Sequence, residues 1–355
     1  MINIEDLVRE NIKNLKPYST ARDEFKGNAS IFLDANENSY GSPLPANYNR
    51  YPDPLQKDLK TEISKIKGVP AEHIFLGNGS DEAIDLLFRA FCNPGVDNAI
   101  IVPPTYGMYE VSANINDIAV KKVNLLPDFQ LDLEKIAESI DKNTKLIFIC
   151  SPNNPTGNSI RREDIETVLA NFNGIVVIDE AYINYAKQKT FIQELTEYTN
   201  LVVLQTFSKA WGLAALRLGM AFSSKPIVQI LNKIKPPYNI NQATQDLAFE
   251  ALKNIEQVNK WIRETVEERG RLSVELAALS MVKKVYPSDA NFILIDVEDA
   301  AVTYQELVEQ GIIVRDRSKV TLCEGCLRVT VGTKEENDRL IKVLTPQLPK
   351  GGVKI

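Results

Sequence analysis

Five stretches of this chain are apolar on both faces: Ile74-Phe75-Leu76, Ala99-Ile100-Ile101-Val102, Leu146-Ile147-Phe148-Ile149-Cys150, Gly174-Ile175-Val176-Val177-Ile178 and Leu201-Val202-Val203-Leu204. A strand with one wet face alternates polar and apolar residues, whereas these runs need cover above and below. Amphipathic segments lie among them. Leu55, Leu59, Ile63 and Ile66 predict a helix over 55–67, and similar spacing predicts helices at 80–92, near 106–114 and at 161–170. Continuous apolar strands alternating with helices imply an α/β fold, a three-layer α/β/α arrangement around a mainly parallel sheet.

The pattern then changes. One long helix is expected from about 241 to 277. Shorter strands follow at Asn291-Phe292-Ile293-Leu294-Ile295, Ile312-Ile313-Val314 and Leu327-Arg328-Val329-Thr330-Val331, with helices near 302–309 and 334–345. The expected division is an N-terminal arm (1–35), a large domain (36–250) and a smaller C-terminal α/β domain (251–355) packed with part of the arm. A ligand is expected in the cleft between the domains.

Composition removes several function classes. The 355 residues carry a net charge of −6, which argues against nucleic-acid or anionic-membrane binding. No apolar run reaches the roughly 18 residues of a membrane span. The acidic start Met1–Asp6 does not resemble a signal peptide. Four cysteines form no disulfide framework and suggest a reducing, cytoplasmic setting. Cys323 and Cys326 form a C-x-x-C, but the spacing supplies no second ligand pair, so no metal is expected.

In an open α/β sheet, ligands bind beyond the carboxyl ends of the strands. Gly77-Asn78-Gly79-Ser80-Asp81 can open a helix whose first N–H groups face an anion, or simply cap it. Tyr106, past the second strand, can stack on a flat ring or pack in the core. The turn Ser151-Pro152-Asn153-Asn154-Pro155-Thr156-Gly157 holds asparagine amides rigidly. Asp179, ending a buried strand, is costly there unless it meets a cation, and Tyr182 stands three residues on. Lys209 leaves another buried strand in Thr206-Phe207-Ser208-Lys209, with Arg217 eight residues later. Burial lowers an amine's pKa, and only the neutral amine attacks an aldehyde to form a Schiff base. An imine-forming amine, a partner for a pyridinium nitrogen, a stacking aromatic, oxygen donors and a phosphate cradle are what a pyridoxal phosphate enzyme needs.

With these motifs on the page, the chain resembles the aspartate-aminotransferase-like, fold-type-I pyridoxal phosphate enzymes over nearly its whole length. Asn153-Asn154-Pro155-Thr156-Gly157 and Ser208-Lys209 are similar to elements found across that family. Ala35-Asn36-Glu37-Asn38, Tyr51-Pro52-Asp53 and Val331-Gly332-Thr333 look closer to its histidinol-phosphate aminotransferase subgroup. The resemblance implies that Lys209 carries the cofactor and moves the proton. It implies that Asp179 pairs with the ring nitrogen, that Tyr182 and Asn154 hold the ring's phenolic oxygen, and that Tyr106 stacks on the ring. Gly79, Ser80, Asp81, Thr206, Ser208 and Arg217 would surround the cofactor phosphate. Tyr51 would reach the cofactor of a partner subunit, making a homodimer with a shared active site.

Arg328 would grip a substrate anion, with Arg315, Tyr18 and Asn36 as further candidates. The implied substrates are histidinol phosphate, glutamate and 2-oxoglutarate. An aromatic amino-acid aminotransferase and a threonine-phosphate decarboxylase are the alternatives of the same fold. A DNA-binding regulator on this fold is disfavoured by the acidic balance.

Overall fold

The computed structural model describes residues 3–19 and 30–345. Parts of the expected arm (1–2 and 20–29) and the last residues of the expected small domain (346–355) lie outside the described residues. The strands are β1 (Ile74–Asn78), β2 (Asn98–Ile101), β3 (Ala119–Lys122), β4 (Thr144–Cys150), β5 (Ile175–Asp179), β6 (Leu201–Thr206), β7 (Leu218–Ser223), β8 (Val282–Val285), β9 (Phe292–Val297), β10 (Arg315–Asp316) and β11 (Cys326–Thr330). The helices are α1 (Ile4–Leu7), α2 (Glu10–Lys13), α3 (Lys57–Lys67), α4 (Gly79–Phe91), α5 (Met108–Ile115), α6 (Leu133–Ser139), α7 (Arg162–Asn171), α8 (Lys225–Ile234), α9 (Gln242–Leu252), α10 (Ile255–Ala277), α11 (Ala300–Glu309) and α12 (Lys334–Leu344).

The first sheet has seven strands in the order β1-β7-β6-β5-β4-β2-β3. Only β7 runs against its neighbours, so β1 to β6 all end at one edge. The continuous apolar runs are covered as their composition requires. Val176, Ile178, Leu201 and Val203 face a core built with α3, α6, α7 and α9. Ile175, Val177, Val202 and Leu204 face the other way, onto α1, α4, α5 and α8. A second, antiparallel sheet runs β10-β11-β9-β8. It has its own core with Leu272 and Leu276 of α10, Leu307 of α11 and Leu340 and Leu344 of α12.

Two expectations need correction. The helix expected over 241–277 is two, α9 and α10, separated by Lys253 and Asn254. The Asn254 side chain donates to the Glu250 carbonyl, a local bond that competes with a continuous helix. The strand expected at Ile312-Ile313-Val314 lies one step later, at Arg315–Asp316, because the Ile312 N–H is bound to Leu307 O at the end of α11. The described start of the arm packs on the first sheet's helices. Ile4 and Val8 are buried there, Arg9 bonds the end of α4, and Lys233 of α8 caps the Ile12 and Lys13 carbonyls.

Candidate active site

Because β1, β2, β4, β5 and β6 share a direction, their carboxyl ends empty onto one cavity of about 560 Å³. Its wall includes Gly79, Ser80, Asp81, Thr105, Tyr106, Asn154, Asp179, Tyr182, Thr206, Ser208, Lys209 and Arg217. Strand β6 runs into the loop 207–217, and β7 returns beside it, so Lys209 and Arg217 come back to the same edge.

Helix α4 begins at this edge with no side chain capping it; the Gly79 N–H donates to Arg217 O at 2.6 Å, and the N–H groups that follow, with the positive dipole end, are left for an anion. Arg217 stands over that start and pairs with Asp81 at 3.3 Å. Gly79 has φ +70, and a Cβ there would come 2.8 Å from the Arg217 guanidinium. Tyr106 donates to the other Asp81 oxygen at 3.1 Å.

Asp179 is buried, and burial holds its carboxyl above the usual carboxylate range. Tyr109 donates to its Oδ2 at 2.7 Å, and the Ala181 N–H to its Oδ1 at 3.1 Å. Burial, then the Arg328 charge, depresses Lys209, which lies 5.6 Å from the Tyr182 ring centre. The site therefore combines an amine with an increased neutral fraction and a carboxylate that gains from a cation.

Asn153 and Asn154 divide their work. Asn153 is buried and braces the loops, donating to Pro104 O and Thr156 Oγ1. Asn154 faces the cavity, and its Oδ1 accepts from Arg328. The second sheet closes the wall with Arg328 on β11 and Arg315 and Arg317 at β10. Segment 288–292 is clamped to the asparagine turn by Asp289 N to Gly157 O (2.7 Å) and Ser159 Oγ to Asp289 Oδ2 (2.7 Å).

Three expected residues are not in this wall. Tyr18 is 75% exposed. Asn36 and Tyr51 line a separate cavity with Tyr48, Arg50 and Tyr238, where Tyr51 stacks on Tyr238 at 4.5 Å. Glu37 organises that region, accepting from Arg50 and from the Tyr51 N–H at 2.6 and 2.7 Å.

The profile of class I and II aminotransferases matches residues 38–344. The chain belongs to that family. This aminotransferase is 57% identical over 342 residues to the histidinol-phosphate aminotransferase of Cytophaga hutchinsonii, covering 96% of this chain and 98% of that one. Its fold is similar to the crystal structure of the histidinol-phosphate aminotransferase from Clostridium acetobutylicum (TM-score 0.78, 25% identity, 84% of this chain and 90% of that one). It is also similar in fold to the Sinorhizobium meliloti histidinol-phosphate aminotransferase solved with pyridoxal-5'-phosphate (TM-score 0.75, 23% identity, 87% and 89%).

Three features of the aminotransferase escaped sequence reading, and a fourth, Arg317, reads from sequence, like Arg315, equally well as a solvated charged strand end. Tyr109 lies three residues past Tyr106, on the turn of α5 facing Asp179, and helical spacing alone could have drawn attention to it. Gly219 lets β7 pass against the start of α4, where a Cβ would meet Ser80 N at 2.1 Å. Thr105 Oγ1 and Arg317 Nε border the cavity buried and, among the described residues, without a hydrogen-bond partner. Nothing local in the sequence distinguishes Thr105.

Proposed function

We propose that this aminotransferase moves an amino group between glutamate and imidazole-acetol phosphate, forming 2-oxoglutarate and histidinol phosphate, with pyridoxal phosphate as cofactor. The observation that carries the reading is the meeting of Lys209 with buried Asp179 in one cavity whose facing wall holds three arginines. The uncapped start of α4 with Arg217 suits a cofactor phosphate, and the Thr105 hydroxyl is a further polar group facing that space. Bound pyridoxal phosphate supplies the electron sink for the charge left when the substrate Cα–H bond breaks.

The protein's own groups do the rest. Lys209, with its lowered pKa, would hold the cofactor through its aldehyde and is placed to move the proton at the substrate Cα. Asp179 would pair as an anion with a positive ring nitrogen, and the Tyr109 hydroxyl favours that anionic form. Since Asn154 Oδ1 accepts from Arg328, its Nδ2 would be the end free to donate to the cofactor's phenolic oxygen, and the Tyr182 hydroxyl would be a second donor. Tyr106 would flank the ring, Gly79, Ser80, Asp81, Thr206 and Ser208 would position the phosphate, and Arg217 would neutralise it. Arg328 and Arg315 grip the substrate anion. A guanidinium accepts a carboxylate or a phosphate in the same forked geometry, so one set serves both half-reactions.

Tyr51 and Asn36 act from a partner subunit in a homodimer. Their distance from the cavity of their own chain supports this. So does the run of exposed large side chains Ile31, Leu33, Tyr40, Leu44, Tyr48 and Tyr51. Four free, buried thiols fit a reducing, cytoplasmic setting. No helix among the described residues is long and apolar enough to cross a membrane.

The test is a half-reaction. Purified protein should show a visible imine band that Lys209→Ala abolishes, and histidinol phosphate should bleach the wild-type band. Bleaching by phenylalanine instead, or gas release from threonine phosphate, would move the function to the corresponding alternative.

A further inference from the structure

Arg315, Arg317 and Arg328 enter the cavity from one side, and none forms an ion pair among the described residues. Their arrangement is unfavourable by itself. Arg315 and Arg328 are direct partners across the β10–β11 ladder, and like charges placed opposite each other repel. Arg317 follows two residues later, its backbone N–H fixed to Cys326 O. Its Nε is buried with no acceptor among the described residues. A buried donor left unpaired is costly, more so on a charged group. Three cationic heads and an orphan N–H need an anion with more charge and more oxygens than one carboxylate offers, since a carboxylate is satisfied by a single forked guanidinium.

We propose that Arg317 is a specificity-determining residue: with Arg315 and Arg328 it forms a three-guanidinium wall that selects the dianion of a phosphate monoester over a substrate end of lower charge. This rests on the substrate reading above and assigns the selection for the phosphate to a residue outside the expected pair. A phosphate monoester loses its second proton near pH 6, so the wall becomes fully matched above that pH. Arg317 is faced by Arg315 and Asp316 from its own segment, Cys323 from the following turn, Arg328 from β11 and Tyr182 from the end of β5. Burial pushes the Cys323 thiol up to about 12 and Tyr182 higher still, while Ser318 hydrogen bonds hold Asp316 low. None of these changes charge between pH 5.5 and 8, which leaves the ligand as the titrating group.

The experiment compares kcat/KM for histidinol phosphate with that for unphosphorylated histidinol, from pH 5.5 to 8, in holoenzyme. Taking the ratio cancels the imidazole and Lys209 titrations common to both substrates. In the wild type the ratio should rise as pH passes 6. Arg317→Met should lower it by roughly 10- to 100-fold, the size of one charge-assisted hydrogen bond, and flatten the rise. Arg317→Lys should keep the rise and most of the ratio.

An equal loss on both substrates, or an unchanged ratio, would overturn the proposal. Phenyl phosphate as an inhibitor of the glutamate half-reaction separates it from the substrate reading. If histidinol phosphate is not a substrate but phenyl phosphate still inhibits the wild type and fails on Arg317→Met, the substrate reading falls and the arginine wall stands. If phenyl phosphate inhibits both proteins equally, the wall falls.

Discussion

Asp179 shows how one hydroxyl can shift the charge state of a buried carboxyl. Burial raises its pKa, and the Tyr109 bond works the other way because it favours the anion. Removing that donor should raise the carboxyl pKa further, so the anion would be lost at a higher pH. We expect Tyr109→Phe to move the acid limb of the kcat/KM profile upward and to reduce kcat/KM by roughly tenfold, the worth of a hydrogen bond to a charged group. A uniform drop with an unmoved limb would show that Tyr109 only packs α5. Fully buried Tyr109 also stacks on Phe148 at 4.8 Å, so phenylalanine keeps that contact while losing the hydroxyl.

At the scale of elements, the cavity depends on how closely α4 approaches the sheet. Gly219 of β7 pairs with Gly77 on one side and Thr206 on the other, with the α4 start lying directly over it. Adding a methyl there must push the Gly79–Ser80 backbone away. Gly219→Ala should cost about 1–3 kcal/mol or more by overpacking, and should weaken pyridoxal phosphate binding in parallel. Gly270 offers the control. It sits inside α10, where an added methyl would meet nothing within 4 Å, so Gly270→Ala should gain about 0.5–1 kcal/mol. Thermal melting with cofactor titration reads both. Equal behaviour of the two variants would refute the close-approach argument.

For the whole molecule, the proposed sharing of the site between two subunits makes a prediction that one chain cannot. Lys209→Ala and Tyr51→Phe are each expected to be impaired, the second through cofactor affinity. If Tyr51 serves the neighbouring subunit, subunit exchange between the two variants should restore roughly a quarter of wild-type activity, the share of sites left with both residues intact. Recovery near zero after verified exchange would place both residues in the same subunit's site. The exposed aromatic and aliphatic side chains between Ile31 and Tyr51 are the surface expected to be covered in that assembly.

The chain by itself determined the parallel sheet, the strand ends and most groups gathered there. Runs such as Leu146–Cys150 and Ile175–Ile178 need cover on two sides wherever they lie, and ligand chemistry collects at strand ends by topology. Other elements were not legible. β3 carries Lys121 and Lys122 on an edge, and β7 contains Gly219, so neither reads as a strand from its composition. α6 and α8 were likewise not anticipated. Tertiary structure alone decided that Tyr109 meets Asp179 seventy positions away and that Asn154 is held by Arg328. It also brought Arg317 into the cavity, because the β10–β11 register carries that segment to the wall. Burial patterns are written residue by residue and survive in the sequence, whereas such pairings join segments far apart in the chain that meet only in the folded structure.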